Sequence, residues 1–154
     1  MLKEAVLVVA CLLTAIPNGQ TFRVATYNLN FANQRGDQVI DAISVAKPDL
    51  ICFQETTLES ERFLRQQLAV THPYFHSVGH EGRFAAERFS FASKNELAEL
   101  HYFPPKAGLF GFYSTKLRFG SDTLHVVNVH LAPLQVARTA GFLQSLSALS
   151  TTEQ

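Results

Sequence analysis

Four polar residues stand where strands would normally carry apolar side chains: Asn28, Glu55, Asn128 and His130. Asn28 and Glu55 each lie at the end of a strand-like run. Asn128 and His130 share one face of the alternating stretch 123–131. A carboxylate, two amides and an imidazole at strand ends suit a hard divalent cation such as Mg²⁺, which takes few protein carboxylates and fills its shell with water and phosphate oxygens.

Each of the four also has an ordinary structural interpretation. Asn28 can cap a strand end, and Asn128 can be a hydrogen-bonded strand amide. Glu55 can stabilise the start of the next helix, where acidic side chains are favoured. His130 taken alone is more often a packed or surface histidine than a catalyst. The four residues therefore indicate a site only if the strands and helices of the fold bring them together.

The first half of the chain alternates strand and helix. The pattern predicts a strand over 22–30, a helix from Asp37 as N-cap to Lys47-Pro48, a buried strand over 50–53 that ends in Gln54-Glu55, and a helix over 57–70.

The second half changes to short alternating or aromatic runs punctuated by Gly, Pro or Asn, which are typical of antiparallel strands. Strands are predicted over 74–78, 84–93, 97–103, 109–117 and 123–131, with a hairpin turn at 119–122 and a closing helix over 134–149. Parallel-type units followed by a meander predict an α/β architecture of mixed sheets with helices outside.

Three stretches, Arg23–Asn30, Pro48–Glu55 and Leu124–Leu131, resemble successive signature segments of the endonuclease/exonuclease/phosphatase superfamily, in the right order and at about the expected separations. That superfamily includes DNase I-like nucleases, AP endonucleases, sphingomyelinases and inositol-phosphate phosphatases. The resemblance covers about residues 22–149. It implies a DNase I-like sandwich of two packed mixed sheets with outer helices.

The resemblance also implies roles for the matching residues. Glu55, aided by Asn28, would bind Mg²⁺ or Mn²⁺, and Asn28 would also hydrogen-bond the phosphate. His130 would act at the scissile phosphate, stabilising the oxyanion or protonating the leaving oxygen, and Asn128 would support that site. The implied reaction is hydrolysis of a phosphate ester, with nucleic acid, phospholipid headgroup and sugar phosphate all open as substrates.

The sequence departs from the family after His130. The family's second half carries a Gly-Asp-x-Asn segment and a terminal Ser-Asp-His segment, whereas residues 131–154 contain no Asp, Asn or His. We therefore expect residues 21–154 to be a truncated domain with an incomplete site and an apolar sheet face open to association. The alternative is a catalytically silent secreted remnant that acts as a binding module.

The charge balance, the N-terminal segment and the cysteines limit the kinds of partner, location and site that the chain can have. Thirteen Lys and Arg balance thirteen Asp and Glu, so no net positive field favours nonspecific DNA coating. Residues 1–20 combine Lys3, an apolar run and Pro17-Asn18-Gly19, which predicts a signal peptide and a secreted or periplasmic protein. The run is too short for a stable membrane span. Cys11 and Cys52 have no zinc-type spacing and are expected to be structural.

Overall fold

The computed structural model of the protein describes residues 21–30, 35–79, 88–104 and 111–131. Its elements, in chain order, are β1 Val24–Asn28, α1 Gly36–Ala46, β2 Leu50–Gln54, α2 Leu58–Leu68, β3 Tyr74–Val78, β4 Phe89–Ser93, β5 Leu97–Phe103, β6 Phe112–Phe119 and β7 Asp122–Val129. The predicted leader over 1–20 and closing helix over 134–149 lie outside the described residues.

The strands form two sheets. The first has the order β1-β2-β4-β3 and is mixed, because β1 and β2 run parallel while β4 runs antiparallel to both β2 and β3. The second has the order β5-β6-β7 and is antiparallel throughout. This arrangement confirms the predicted α/β class.

Strand β2 lies at the centre of the molecule, and all five of its residues are buried. Ile51 and Phe53 belong to a core shared with α1 and α2, whereas Leu50 and Cys52 belong to a core shared with the second sheet. An apolar run buried on both faces explains why the sequence shows no alternation here. Each buried Leu, Ile or Phe side chain contributes about 1.5–3 kcal/mol, so burial of this strand stabilises both cores.

The two predicted helices that lie within the described residues are confirmed, with one correction. The N-cap of α1 is Arg35, with no side-chain cap bond, and Asp37 lies inside the first turn, where its charge complements the helix dipole. The predicted N-cap role of Asp37 was therefore wrong. Helix α2 begins with a capping box in which Thr57 and Ser60 bond reciprocally to each other's backbone N–H.

The meander of the second half is also confirmed. β3 and β5 have the predicted bounds, and β6 and β7 are joined by a turn at Gly120-Ser121, where Gly120 has a φ of 61°. Residues 84–87 of the predicted fourth strand lie outside the described residues. Among the residues that the structure describes, no helix has the length and apolar character needed to cross a bilayer.

Candidate active site

Asn28 and Glu55 are brought together by the parallel pairing of β1 and β2. Asn28 pairs with Gln54 in the register, so Glu55 follows directly beside it at the carboxyl ends of both strands. The Asn28 Nδ2 donates to Glu55 Oε1 at 2.9 Å. Its Oδ1 accepts from the backbone N–H of Asn30 at 2.8 Å, which fixes the amide with its NH₂ group toward the carboxylate.

The backbone at Glu55 is left-handed, with a φ of 54°. Non-glycine residues seldom adopt this conformation, which costs about 1–3 kcal/mol and persists only where the surroundings enforce it. Here the chain must turn between the end of β2 and the Thr57 cap of α2. The turn places the Glu55 carboxylate next to Asn28 with only 15% of its side chain exposed.

His130 completes the group from the other sheet. It follows the last residue of β7, and its Nε2 lies 3.1 Å from Glu55 Oε1 and 3.5 Å from Asn28 Nδ2. Its side chain is 10% exposed. Asn28, Glu55 and His130, hereafter the polar cluster, therefore meet at one point although 102 residues separate the first from the last. Contact alone does not assign their chemical roles, which stay predictions.

Asn128 occupies a different place from the other three predicted residues. It is 2% exposed, its Nδ2 donates to the carbonyl oxygens of Phe53 and Ser90, and its Oδ1 accepts from Gln54. These bonds tie β7 to β2 and β4 two residues before His130. Asn128 thus has the geometry of a positioning residue that seats His130, and its predicted catalytic role remains a prediction.

Gln54 belongs to the same connection, although sequence analysis gave it no role. Its side-chain Nε2 lies 2.6 Å from Asn128 Oδ1, 3.0 Å from Thr26 Oγ1 and 3.2 Å from the Cys52 carbonyl oxygen. It is 6% exposed. The available signal was an amide that ends an apolar run directly before Glu55, because a buried polar group needs partners.

The donor set of the polar cluster fits a magnesium-type ion. Within the described part of the chain, no group of three or more His, Cys, Asp and Glu is arranged to hold a metal ion. Mg²⁺ instead needs only one or two carboxylates and keeps water and substrate oxygens as its other ligands. Glu55 supplies one carboxylate, and it also borders a cavity of about 40 Å³ that neither Asn28 nor His130 lines.

A mixed sheet with polar side chains at its parallel strand ends, packed on an antiparallel sheet whose last strand delivers a histidine, defines a DNase I-like α/β sandwich. The sequence profile of the Endonuclease/Exonuclease/phosphatase family matches residues 25–150. The chain belongs to that family, and both the family and the fold predicted from the sequence are confirmed. No match was found among curated protein sequences.

Solved structures share the fold at low sequence identity. A D. rerio TDP2 complexed with single-strand DNA product has a TM-score of 0.61 at 14% identity, over 83% of this chain and 52% of that one. Humanized D. rerio TDP2 gives 0.60 at 15%, over 84% and 53%. A family protein from Leptotrichia buccalis gives 0.57 at 13%, over 85% and 61%. The chain thus spans about half the length of the TDP2 structures that it matches.

Proposed function

We propose that this chain supplies the metal-binding part of a Mg²⁺- or Mn²⁺-dependent phosphoester hydrolase. Membership of the family supports phosphoester chemistry in general. The observation that carries the more specific proposal is the polar cluster, in which Asn28 and His130 both contact Glu55 Oε1. A carboxylate held by two nitrogen groups at a partly exposed strand end supports the proposal that Glu55 binds a cation, which would in turn bind a phosphate.

Glu55, with Asn28 beside it, would hold the cation, which when bound supplies positive charge against the charge that develops on the phosphate oxygens. Asn28 directs its NH₂ group to Glu55 at 2.9 Å and to His130 Nε2 at 3.5 Å, and its second N–H would turn from His130 to a phosphate oxygen when substrate binds. His130 would hold or release a proton at the leaving oxygen, a role that suits an imidazole because its ordinary pKa is near neutrality. Asn128 would keep that ring in place from behind.

Phosphate esters on single-stranded nucleic acid are the first substrate class to test. The support is the TDP2 neighbour, whose structure holds a single-strand DNA product. The balanced charge of thirteen basic and thirteen acidic residues gives no general attraction for long duplex DNA. Phospholipid headgroups and sugar phosphates are the other two classes to assay.

The proposal is tested by Mg²⁺-dependent release of nitrophenol from bis(p-nitrophenyl) phosphate. We expect Glu55→Gln to lower the rate about a thousandfold, the equivalent of about 4 kcal/mol, because the variant loses the charged metal ligand. Glu59→Gln is the matched control, since Glu59 is exposed in the first turn of α2. Equal rates in both variants and the wild type would refute the role of Glu55.

A silent binding module is the second candidate, because Asn28, Glu55 and His130 could together hold a cation and a phosphate group whether or not hydrolysis follows. This candidate predicts that the protein binds Mn²⁺ and a non-hydrolysable phosphonate, both dependent on Glu55, without turnover. Calorimetry run beside the nitrophenol assay separates the two candidates. Export through residues 1–20 is a further proposal, tested by N-terminal sequencing of the secreted protein.

We also propose that the protein associates through its open sheet face. A groove of about 460 Å³ runs between the first sheet and β7 and is lined by Val24, Cys52 and Leu124 among others. Within the described residues, β1 and β7 each end a sheet on the two sides of this groove. Unpaired strand edges beside apolar surface favour pairing with another polypeptide. Sedimentation at several concentrations tests this proposal, and a monomer throughout would contradict self-association.

A further inference from the structure

A partly buried ion pair between Arg88 and Glu61 lies next to the turn at Glu55. Arg88 donates to Glu61 through two parallel bonds, Nε to Oε1 at 2.9 Å and Nη2 to Oε2 at 2.8 Å. Glu61 is 7% exposed although it lies in the first turn of α2, and Arg88 immediately precedes β4. The two-bond geometry fixes the helix start against the strand more firmly than a single contact would.

Thr56, the residue after Glu55, is bound by both partners of this pair. Its Oγ1 donates to Glu61 Oε1 at 2.8 Å, and its backbone N–H donates to the Arg88 carbonyl oxygen at 3.3 Å. The Ser90 hydroxyl adds a contact to Thr56 Oγ1 at 3.4 Å. Thr56 is fully buried. The chain is therefore held from its side chain and its backbone one residue beyond the left-handed position.

The location of these bonds matches the strain at Glu55. A φ of 54° at a residue with a side chain reverts to an ordinary conformation unless its neighbours prevent it. On the β2 side, the backbone N–H of Leu29 donates to the Gln54 carbonyl oxygen at 2.9 Å. On the α2 side, Thr56 is the first residue that can resist the reversion. Ion pairs removed from water seldom add net stability, so the contribution of the Glu61–Arg88 pair here is to fix the geometry of the turn.

We propose that Thr56, Glu61 and Arg88, hereafter the clasp, position the Glu55 carboxylate and thereby set the affinity of the polar cluster for a divalent cation. The metal consequence rests on the proposed function, whereas the positioning of Glu55 does not. All three residues act through Glu55 and are positioning residues.

The test measures Mn²⁺ binding by electron paramagnetic resonance in the full chain, and the structure of each variant by crystallography. Thr56→Val keeps the side-chain shape and removes the hydroxyl donor, and Arg88→Lys keeps the charge and removes the second bond. We expect both to weaken Mn²⁺ binding about 10–100-fold, the range for residues that orient a metal ligand. In their crystal structures, Glu55 Oε1 should move away from Asn28 Nδ2.

The matched control is Lys94→Met, which breaks the 2.9 Å pair with Asp49 near the opposite end of β2 and should leave Mn²⁺ affinity unchanged. If Arg88→Lys fails to fold, Thr56→Val alone tests the clasp. Unchanged affinity together with an unchanged 2.9 Å contact between Asn28 and Glu55 in the folded variants would overturn the clasp. If the wild type and Glu55→Gln bind Mn²⁺ equally, the proposed metal role fails, and the crystallographic distance alone then decides the clasp.

Discussion

The two halves of the polar cluster are held in very different ways. Glu55 follows a strand that is hydrogen-bonded on both sides, buried on both faces and continued by a capped helix. His130 follows β7, the last strand of the described antiparallel sheet, and that sheet meets the first through a shared apolar core and the buried amide of Asn128. Glu55, the residue proposed to bind metal, is therefore held by bonds within the first sheet and its helices. The placement of His130, the residue proposed to act at the leaving group, depends on how the second sheet packs on the first.

The two proposed functions of the site can therefore be lost separately. Bonds around Glu55 lie inside the first sheet and its helices, so they survive a change in how the second sheet docks. The position of His130 depends on that docking. Variants of the histidine side should lose turnover while retaining metal binding, which gives the comparison a direct experimental form.

The largest expected effect comes from His130→Gln. Loss of a positioned proton donor should lower the hydrolysis rate about 10²–10⁴-fold, while Glu55-dependent Mn²⁺ binding stays within about threefold. The nitrophenol assay and paramagnetic resonance measure the two quantities on the same preparation. His125→Gln is the control, because His125 is exposed on β7. A parallel loss of Mn²⁺ binding and turnover in His130→Gln would contradict the claim that the two can be lost separately.

Asn128→Leu should have the next largest effect. It removes bonds to Gln54, Phe53 and Ser90 and leaves buried polar groups without partners, which should cost about 2–4 kcal/mol of unfolding free energy. Turnover should fall with the loss of His130 placement. Urea unfolding measures the stability, and Val127→Ala is the control, because Val127 is the next residue on the strand and is 54% exposed. A cost below about 0.5 kcal/mol would contradict the proposed role.

The contrast also marks what sequence reasoning could reach. The run at 50–53, the capped helix after it and the alternation of β7 are local patterns, and each predicted its element. The meeting of Asn28, Glu55 and His130 could be predicted only because the three segments that carry them resemble one family. Periodicity alone would have left these residues as separate polar positions.

The supporting bonds could not be predicted because they join residues far apart in the chain. Gln54 and Asn128 are 74 positions apart, and Glu61 and Arg88 are 27 apart. An acid in the first turn of a helix is ordinary, so nothing local marks Glu61 as buried. Asp37 failed as an N-cap for a related reason: an acid near a helix start fits either the cap or the first turn, and the pattern does not separate them.

His72 is a buried histidine outside the polar cluster, and its surroundings make the stability of the protein depend on pH. His72 is 3% exposed near the start of β2, away from Glu55, with its Nε2 3.1 Å from the Pro48 carbonyl oxygen and its Nδ1 3.0 Å from Thr71 Oγ1. Burial is the main cause that lowers the pKa of His72 below its ordinary value. Nearby Lys94 acts in the same direction, while the Pro48 carbonyl and Asp49 oppose it.

The folded protein therefore keeps His72 neutral at a pH where the unfolded chain already binds a proton. Its contribution to stability is complete above about pH 6.5 and is lost as the pH falls below that value, at no more than about 1.4 kcal/mol per pH unit. His72→Gln, which can still donate to Pro48, should flatten this decline in urea unfolding at pH 7.5, 6.5 and 5.5. Parallel stability curves for the two proteins would contradict the assignment.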